Sequence, residues 1–120
     1  ERIEIQNDFA LLKTTQAFPK YRTINCDGVQ SSQTYEIAGY PYGNSFAKSQ
    51  AKPVDLYYNM SDGPTQHMRA VTAETKDGMS GGPVIQSDGQ VSGYLVGKVI
   101  GKINHDVIKE YRDVSLCDPR

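Results

Sequence analysis

Cysteine is scarce in this 120-residue chain: Cys26 and Cys117 are the two present, and no CxxC spacing occurs. That argues against a thiolate-built zinc site. The pair itself leaves two readings open, buried thiols or one disulfide closing a loop of about 90 residues. A bridge of that span would contribute roughly 4 kcal/mol in the chain-entropy model, and would place the chain in an oxidising compartment. Long apolar runs are missing as well, so no segment reaches the length of about 18 residues that a membrane-spanning helix needs. No signal-peptide pattern is visible. Excess charge is also lacking. Thirteen basic residues against fourteen acidic ones leave a formal net charge of −1, which gives no argument for a nucleic-acid or anionic-membrane partner. Repeats and low-complexity runs are absent. The opening Glu1-Arg2-Ile3-Glu4-Ile5 reads as the middle of a strand, which predicts a mature piece or fragment of a longer protein.

What is present is short hydrophobic alternation, on a length that suits one domain with a modest core. Arg2 to Ile5 and Phe9 to Lys13 flank Asp8. Tyr21 to Ile24 reads as a weak strand, Thr34 to Tyr40 as a stronger one that stops at Pro41. Val54 to Asn59 and His67 to Thr75 alternate. Pro83 to Ile85 and Gln90 to Ile100 form a predicted hairpin that turns at Asp88-Gly89. Tyr, Val, Ile and Thr supply these segments, as β propensity favours, and Gly, Pro, Asn and Ser separate them. Pro41 to Pro53 reads as a polar, exposed loop. The tail breaks the pattern. Val107, Ile108, Tyr111 and Val114 recur at helical spacing, with Asn104 as N-cap, which predicts a helix over 104–115. Six or seven closely spaced strands and one terminal helix predict a small antiparallel barrel or sandwich. A doubly wound fold is disfavoured, because no helices alternate with the strands.

The chemistry concentrates in Asp77-Gly78-Met79-Ser80-Gly81-Gly82-Pro83. Three glycines and a proline around one serine hold it on a backbone that few other sequences adopt. Gly78-x-Ser80-x-Gly82 satisfies the nucleophile-elbow pattern, but that motif must lead into a helix, and Gly81-Gly82-Pro83 opposes one. The other arrangement uses the N–H groups of Gly78 and Ser80 as an oxyanion hole, with a glycine at 78 so that no side chain obstructs an approaching carbonyl.

In that form the segment, followed by Val84-Ile85, resembles the active-site serine segment of chymotrypsin-like serine proteases. Asp8-Phe9-Ala10-Leu11-Leu12 is similar to the family's aspartate segment, whose carboxylate orients the catalytic histidine. Ile37-Ala38-Gly39-Tyr40-Pro41, and Thr75 five residues before Ser80, resemble the bacterial glutamyl endopeptidase-like branch. The resemblance extends along essentially the whole chain but covers half of the two-barrel enzyme. It implies an all-β fold: a six-stranded antiparallel Greek-key barrel, the second of the pair, ending in a helix. Residues 1–25 would comprise the end of the first barrel and the linker. It further implies Ser80 as nucleophile, Asp8 as orienter, and Gly78 with Ser80 as oxyanion donors. A Cys26–Cys117 disulfide, a secreted setting and peptide hydrolysis without metal or cofactor complete the set.

Departures from the family are equally specific. Its histidine belongs to the first barrel, before the aspartate, whereas His67 and His105 both follow Asp8. The base must then come from an N-terminal barrel outside this chain, and this chain alone is expected to be inactive. Met79 stands where trypsin-like members carry the aspartate that pairs with a newly freed N-terminus. Leu95 stands near the histidine of glutamate-specific members, which disfavours glutamate preference. Glu74 falls where trypsin-like members place the acid at the base of the specificity pocket, so the resemblance implies cleavage after Arg or Lys; Thr75 and Leu95 are the other specificity candidates. Two alternatives compete: a catalytically silent homologue that binds a partner through the same cleft, and a free-standing β-domain whose glycines only shape a turn. A lone barrel would also expose the apolar face that meets its partner, and so dimerise or aggregate.

Overall fold

A computed structural model describes residues 2–6, 9–60, 66–114 and 117. Eight strands lie among them: β1 (Arg2–Gln6), β2 (Phe9–Leu12), β3 (Tyr35–Gly39), β4 (Ala47–Met60), β5 (Gln66–Thr72), β6 (Pro83–Ile85), β7 (Val91–Val99) and β8 (His105–Glu110). β1 and β2 pair as a separate two-stranded antiparallel sheet. The other six close into a barrel in the order β3-β4-β5-β8-β7-β6, with every adjacent pair antiparallel. Closure removes the unpaired edges that a sheet of this size would otherwise present.

The side-chain alternation of the strands fills the barrel from all sides. Tyr35 and Ile37 of β3, Ala51 of β4, Val71 of β5, Val84 of β6, Leu95 of β7 and Ile108 of β8 form one buried cluster. Two residues from outside the strands complete it, Val29 from the incoming segment and Met79 from the loop that carries Ser80. The β6–β7 connection turns at Asp88-Gly89 as expected. The Asp88 carboxylate accepts the Gln90 N–H at 2.9 Å and the Gln86 amide at 2.9 Å. The Gln90 N–H, then the Gln86 amide, hold its carboxyl below the ordinary carboxylate range, because both bonds favour the ionised form.

Three expectations need correction. The described residues of the expected helix over 104–115, which are 104–114, do not form it. β8 occupies 105–110, wedged between β5 and β7, followed by a 3-10 turn at Tyr111–Asp113. All of 106–110 are buried, on both faces of the strand, whereas an amphipathic helix would leave one side exposed. Asn104 caps nothing; its side-chain oxygen accepts the Gly101 N–H at 3.1 Å and shapes the β7–β8 connection. Nor does the polar loop run from Pro41 to Pro53. After a 3-10 turn at Pro41–Gly43, β4 begins at Ala47. Lys48, Gln50 and Lys52 face out while Ala51 and Pro53 are buried, so a period-two pattern was present but built from small and polar residues. In Tyr21 to Ile24, Ile24 alone makes a bridge, parallel to Val91.

The segment entering the barrel is held by buried polar groups. Glu110, 1% exposed, accepts the Val29 N–H at 2.6 Å. Arg69, also buried, donates to the Val29 carbonyl at 3.0 Å, the Val54 carbonyl at 2.8 Å and the Tyr57 and Ser31 hydroxyls, with its guanidinium 5.1 Å from the Tyr57 ring centre. Cys26 and Cys117 are bonded, 91 residues apart, and tie the same segment to the far end of the chain. Replacing both cysteines by serine should lower unfolding stability by about 4 kcal/mol, read as a reduced urea midpoint with the barrel's circular dichroism retained.

Candidate active site

Ser80 sits on two consecutive β-turns. Met79 N–H donates to the Lys76 carbonyl at 3.2 Å, and Gly82 N–H donates to the Met79 carbonyl at 3.0 Å. Each turn carries a glycine at its third position in the left-handed region: Gly78 at φ 98° and Gly81 at φ 88°. Positive φ at that position marks a type II turn and selects glycine. The spacing of the glycines around Ser80 is thus the signature of tandem turns. The arrangement leaves particular donors uncommitted. Among the described residues, neither the Gly78 nor the Ser80 N–H enters a hydrogen bond, and Ser80 itself is exposed.

The turns are fastened to the barrel on every side. Met79 is 1% exposed and belongs to the core, a burial of the kind that stabilises by about 1.5–3 kcal/mol. Gly81 N–H donates to the Leu95 carbonyl at 2.7 Å, and Leu95 N–H donates to the Gly82 carbonyl at 2.9 Å. Gly82 packs so closely on β3 that a Cβ there would come 2.0 Å from the Ala38 carbonyl oxygen. On the remaining side, Tyr42 N–H donates to the Asp77 carbonyl at 2.5 Å.

A cavity of about 360 Å³ opens beside Ser80, lined also by Gly78, Met79, Tyr40, Phe46, Arg22 and Lys48. Tyr40 and Phe46 meet edge to face with ring centres 5.5 Å apart. The volume lies in the range of small-ligand and side-chain pockets. Its lining holds no histidine or carboxylate among the described residues.

The other residues singled out by sequence fall into different places. Asp8 lies outside the described residues. Glu74 is exposed and lines a separate cavity with Lys48, Ser49 and Gln50; its carbonyl accepts from the Ser49 hydroxyl. Thr75 is buried, and its hydroxyl donates to Asp106 at 2.6 Å. Leu95 is a core residue, clustered with Met79, whose main chain also bonds the Ser80 loop. Met79 likewise is core and carries no charge to pair. His105 pairs through Nδ1 with the Tyr58 hydroxyl at 3.2 Å. His67 belongs to β5, paired opposite Asn59.

Sequence reasoning missed Asp106, which is 3% exposed and bridges Thr75 and Lys98, the latter at 2.9 Å. A helical reading of its segment hid its burial. It also missed the Tyr42 contact with Asp77 and the place of Phe46 beside Tyr40 in the cavity, because nothing local marks an aromatic residue as facing a distant turn.

A family model described as a trypsin-like peptidase domain matches residues 2–93. No curated protein matches the chain. Among solved structures, the Rv3671c protease of M. tuberculosis is similar in three crystal structures. These are an inactive serine-to-alanine mutant (22% identity, TM-score 0.68), an inactive form (23%, 0.66) and an active form (22%, 0.62). Each alignment covers 77% of this chain and respectively 48%, 50% and 44% of the other, so the chain spans about half the length of the structures it matches. At this identity the likeness speaks to the fold.

The two glycines after Ser80 should respond differently to alanine. Around Gly81 a Cβ has open space and the φ of 88° is the remaining obstacle, a cost of about 1–2 kcal/mol. Gly82→Ala must displace β3 backbone and should cost more, about 3 kcal/mol. Urea unfolding of the two variants checks the order.

Proposed function

The chain belongs to the trypsin-like peptidase family, and from that premise we propose that it is the C-terminal barrel of a two-barrel serine endopeptidase. Ser80 Oγ attacks the scissile carbonyl. A histidine supplied by an N-terminal barrel takes the serine proton and returns it to the leaving amine, Asp8 orients that histidine, and water then hydrolyses the acyl-enzyme. Gly78 and Ser80 N–H stabilise the oxyanion. Residues 1–25 carry the end of the first barrel and the linker. The observation that carries this reading is the pair of uncommitted N–H groups flanking an exposed serine at the edge of a 360 Å³ cavity. No base lines that cavity among the described residues, which supports a histidine from the other half. The disulfide favours an oxidising, extracellular setting.

The finer part of the proposal is cleavage after Arg or Lys through Glu74. Its support is an exposed carboxylate six residues before Ser80 in the sequence, lining a cavity that shares Lys48 with the one beside Ser80. Glu74→Gln should lower kcat/KM for Arg and Lys substrates by roughly tenfold or more, the weight of one charge-assisted hydrogen bond, while leaving apolar substrates unaffected.

Mass spectrometry with a fluorophosphonate probe tests the whole. The full-length protein should gain one adduct on Ser80, and Ser80→Ala should abolish both the adduct and peptide hydrolysis. The isolated barrel should react at least 10³-fold more slowly, since serine without its base is a weak nucleophile. Labelling that persists in Ser80→Ala, or hydrolysis without it, would overturn the assignment.

A further inference from the structure

The orientation of the Asp77–Gly78 peptide is set from outside the Ser80 loop. Tyr42 N–H donates to the Asp77 carbonyl at 2.5 Å. In a trans peptide the C=O and N–H point to opposite sides. Holding the Asp77 carbonyl toward Tyr42 therefore aims the Gly78 N–H away from Tyr42. Gly78 lines the cavity beside Ser80, whereas Tyr42 does not. The two loops touch backbone to backbone: a Cβ on Gly78 would come 2.6 Å from the Tyr40 carbonyl oxygen and 2.9 Å from the Tyr42 nitrogen.

Tyr42 adopts an unusual conformation to make this contact. At φ 54° and ψ 24° it lies in the left-handed region, where it is the one non-glycine among the described residues. A tyrosine there is disfavoured, because its Cβ crowds the following carbonyl oxygen. Ring packing does not explain it, because the side chain is 65% exposed. The flanking bonds, Gly43 N–H to the Tyr40 carbonyl at 3.0 Å and Asn44 N–H to the Pro41 carbonyl at 2.9 Å, hold the turn in the shape that aims the Tyr42 N–H at Asp77. The strained backbone and the direction of that single donor are thus one feature.

We propose that Tyr42 is a positioning residue for the oxyanion hole, its main-chain N–H locking the Asp77–Gly78 peptide with the Gly78 N–H presented to the cavity. The inference rests on Ser80 being the nucleophile. Without the lock, the peptide is free to rotate and turn the Asp77 carbonyl, an acceptor, to the place where the donor is needed. The hole is then formed by contacts inside this one barrel, between the 3-10 turn at Pro41–Gly43 and the first of the tandem turns, and needs no charge pair at Met79.

Replacing the Tyr42 amide by an ester in the full-length protein removes the N–H and little else. We expect kcat to fall by roughly 10²–10³, the cost of one oxyanion donor, with KM within about twofold. The 15N-labelled Gly78 amide signal should shift and broaden or double as the peptide samples both orientations. Tyr42→Gly retains the N–H and accepts positive φ, so it should keep a single, parent-like Gly78 signal. An ester analogue with an unchanged Gly78 signal and unchanged kcat overturns the proposal. So does a Tyr42→Gly variant whose Gly78 signal is altered as much as that of the ester. A parent protein inert to fluorophosphonate would sink the nucleophile reading instead, and the Gly78 signal would still decide whether Tyr42 sets the peptide.

Discussion

The burial of Met79 ties the Ser80 loop to the stability of the barrel. Its side chain completes a core to which every barrel strand contributes, and the next residue in the chain is the exposed Ser80. Two tight turns frame the loop, one on each side of Met79. A loop anchored only at its ends would sample many arrangements of Gly78 and Ser80. With Met79 plugged into a close-packed interior, displacing Ser80 means opening the core. Precise placement of donors is what electrostatic stabilisation of an oxyanion needs, and under the proposed function the apolar contact that helps the barrel fold would supply it.

The buried polar groups serve a related purpose. Arg69 and Glu110 grip the carbonyl and N–H of Val29 from opposite directions, fixing the segment that leads from the β1–β2 hairpin to the barrel. Asp106 joins Thr75, five residues before Ser80, to Lys98 on β7. None of these groups could be buried alone without a large penalty, so each demands its partner. Together they hold in register the parts of the chain that the strand ladder does not reach. The Cys26–Cys117 bond adds a covalent limit to the same segment.

The proposed division of labour follows from this. In that proposal the oxyanion donors and the nucleophile belong to one barrel and are fastened by local turns. The cavity lining holds no histidine or carboxylate among the described residues, so the proposed proton transfer takes its group from beyond them. A site divided in this way would place the reacting atoms in the cleft between two barrels, where a substrate is excluded from water only when both halves are present.

Much of this was legible in the residues themselves. Alternation identified β3, β5, β6 and β7, the Asp88-Gly89 pair located their hairpin, and the glycine spacing around Ser80 encoded the tandem turns, because positive φ at a turn's third position is a local steric demand. The motif also carried the family, which the match over residues 2–93 establishes. Segment 104–115 was misread because Val107, Ile108, Tyr111 and Val114 satisfy a helical period as well as a strand buried on both faces; the vacancy between β5 and β7, a property of the closed barrel, decided for the strand. The early start of β4 was hidden by its polar composition until its pairing with β3 was made. Side-chain environments such as the burial of Asp106, and the reach of Tyr42 to Asp77 across 35 residues of chain, depend on which segments the closed barrel brings together. Local sterics are written in neighbouring residues and can be read there. Contacts between distant segments exist only once the barrel has closed, so only the tertiary structure decided them.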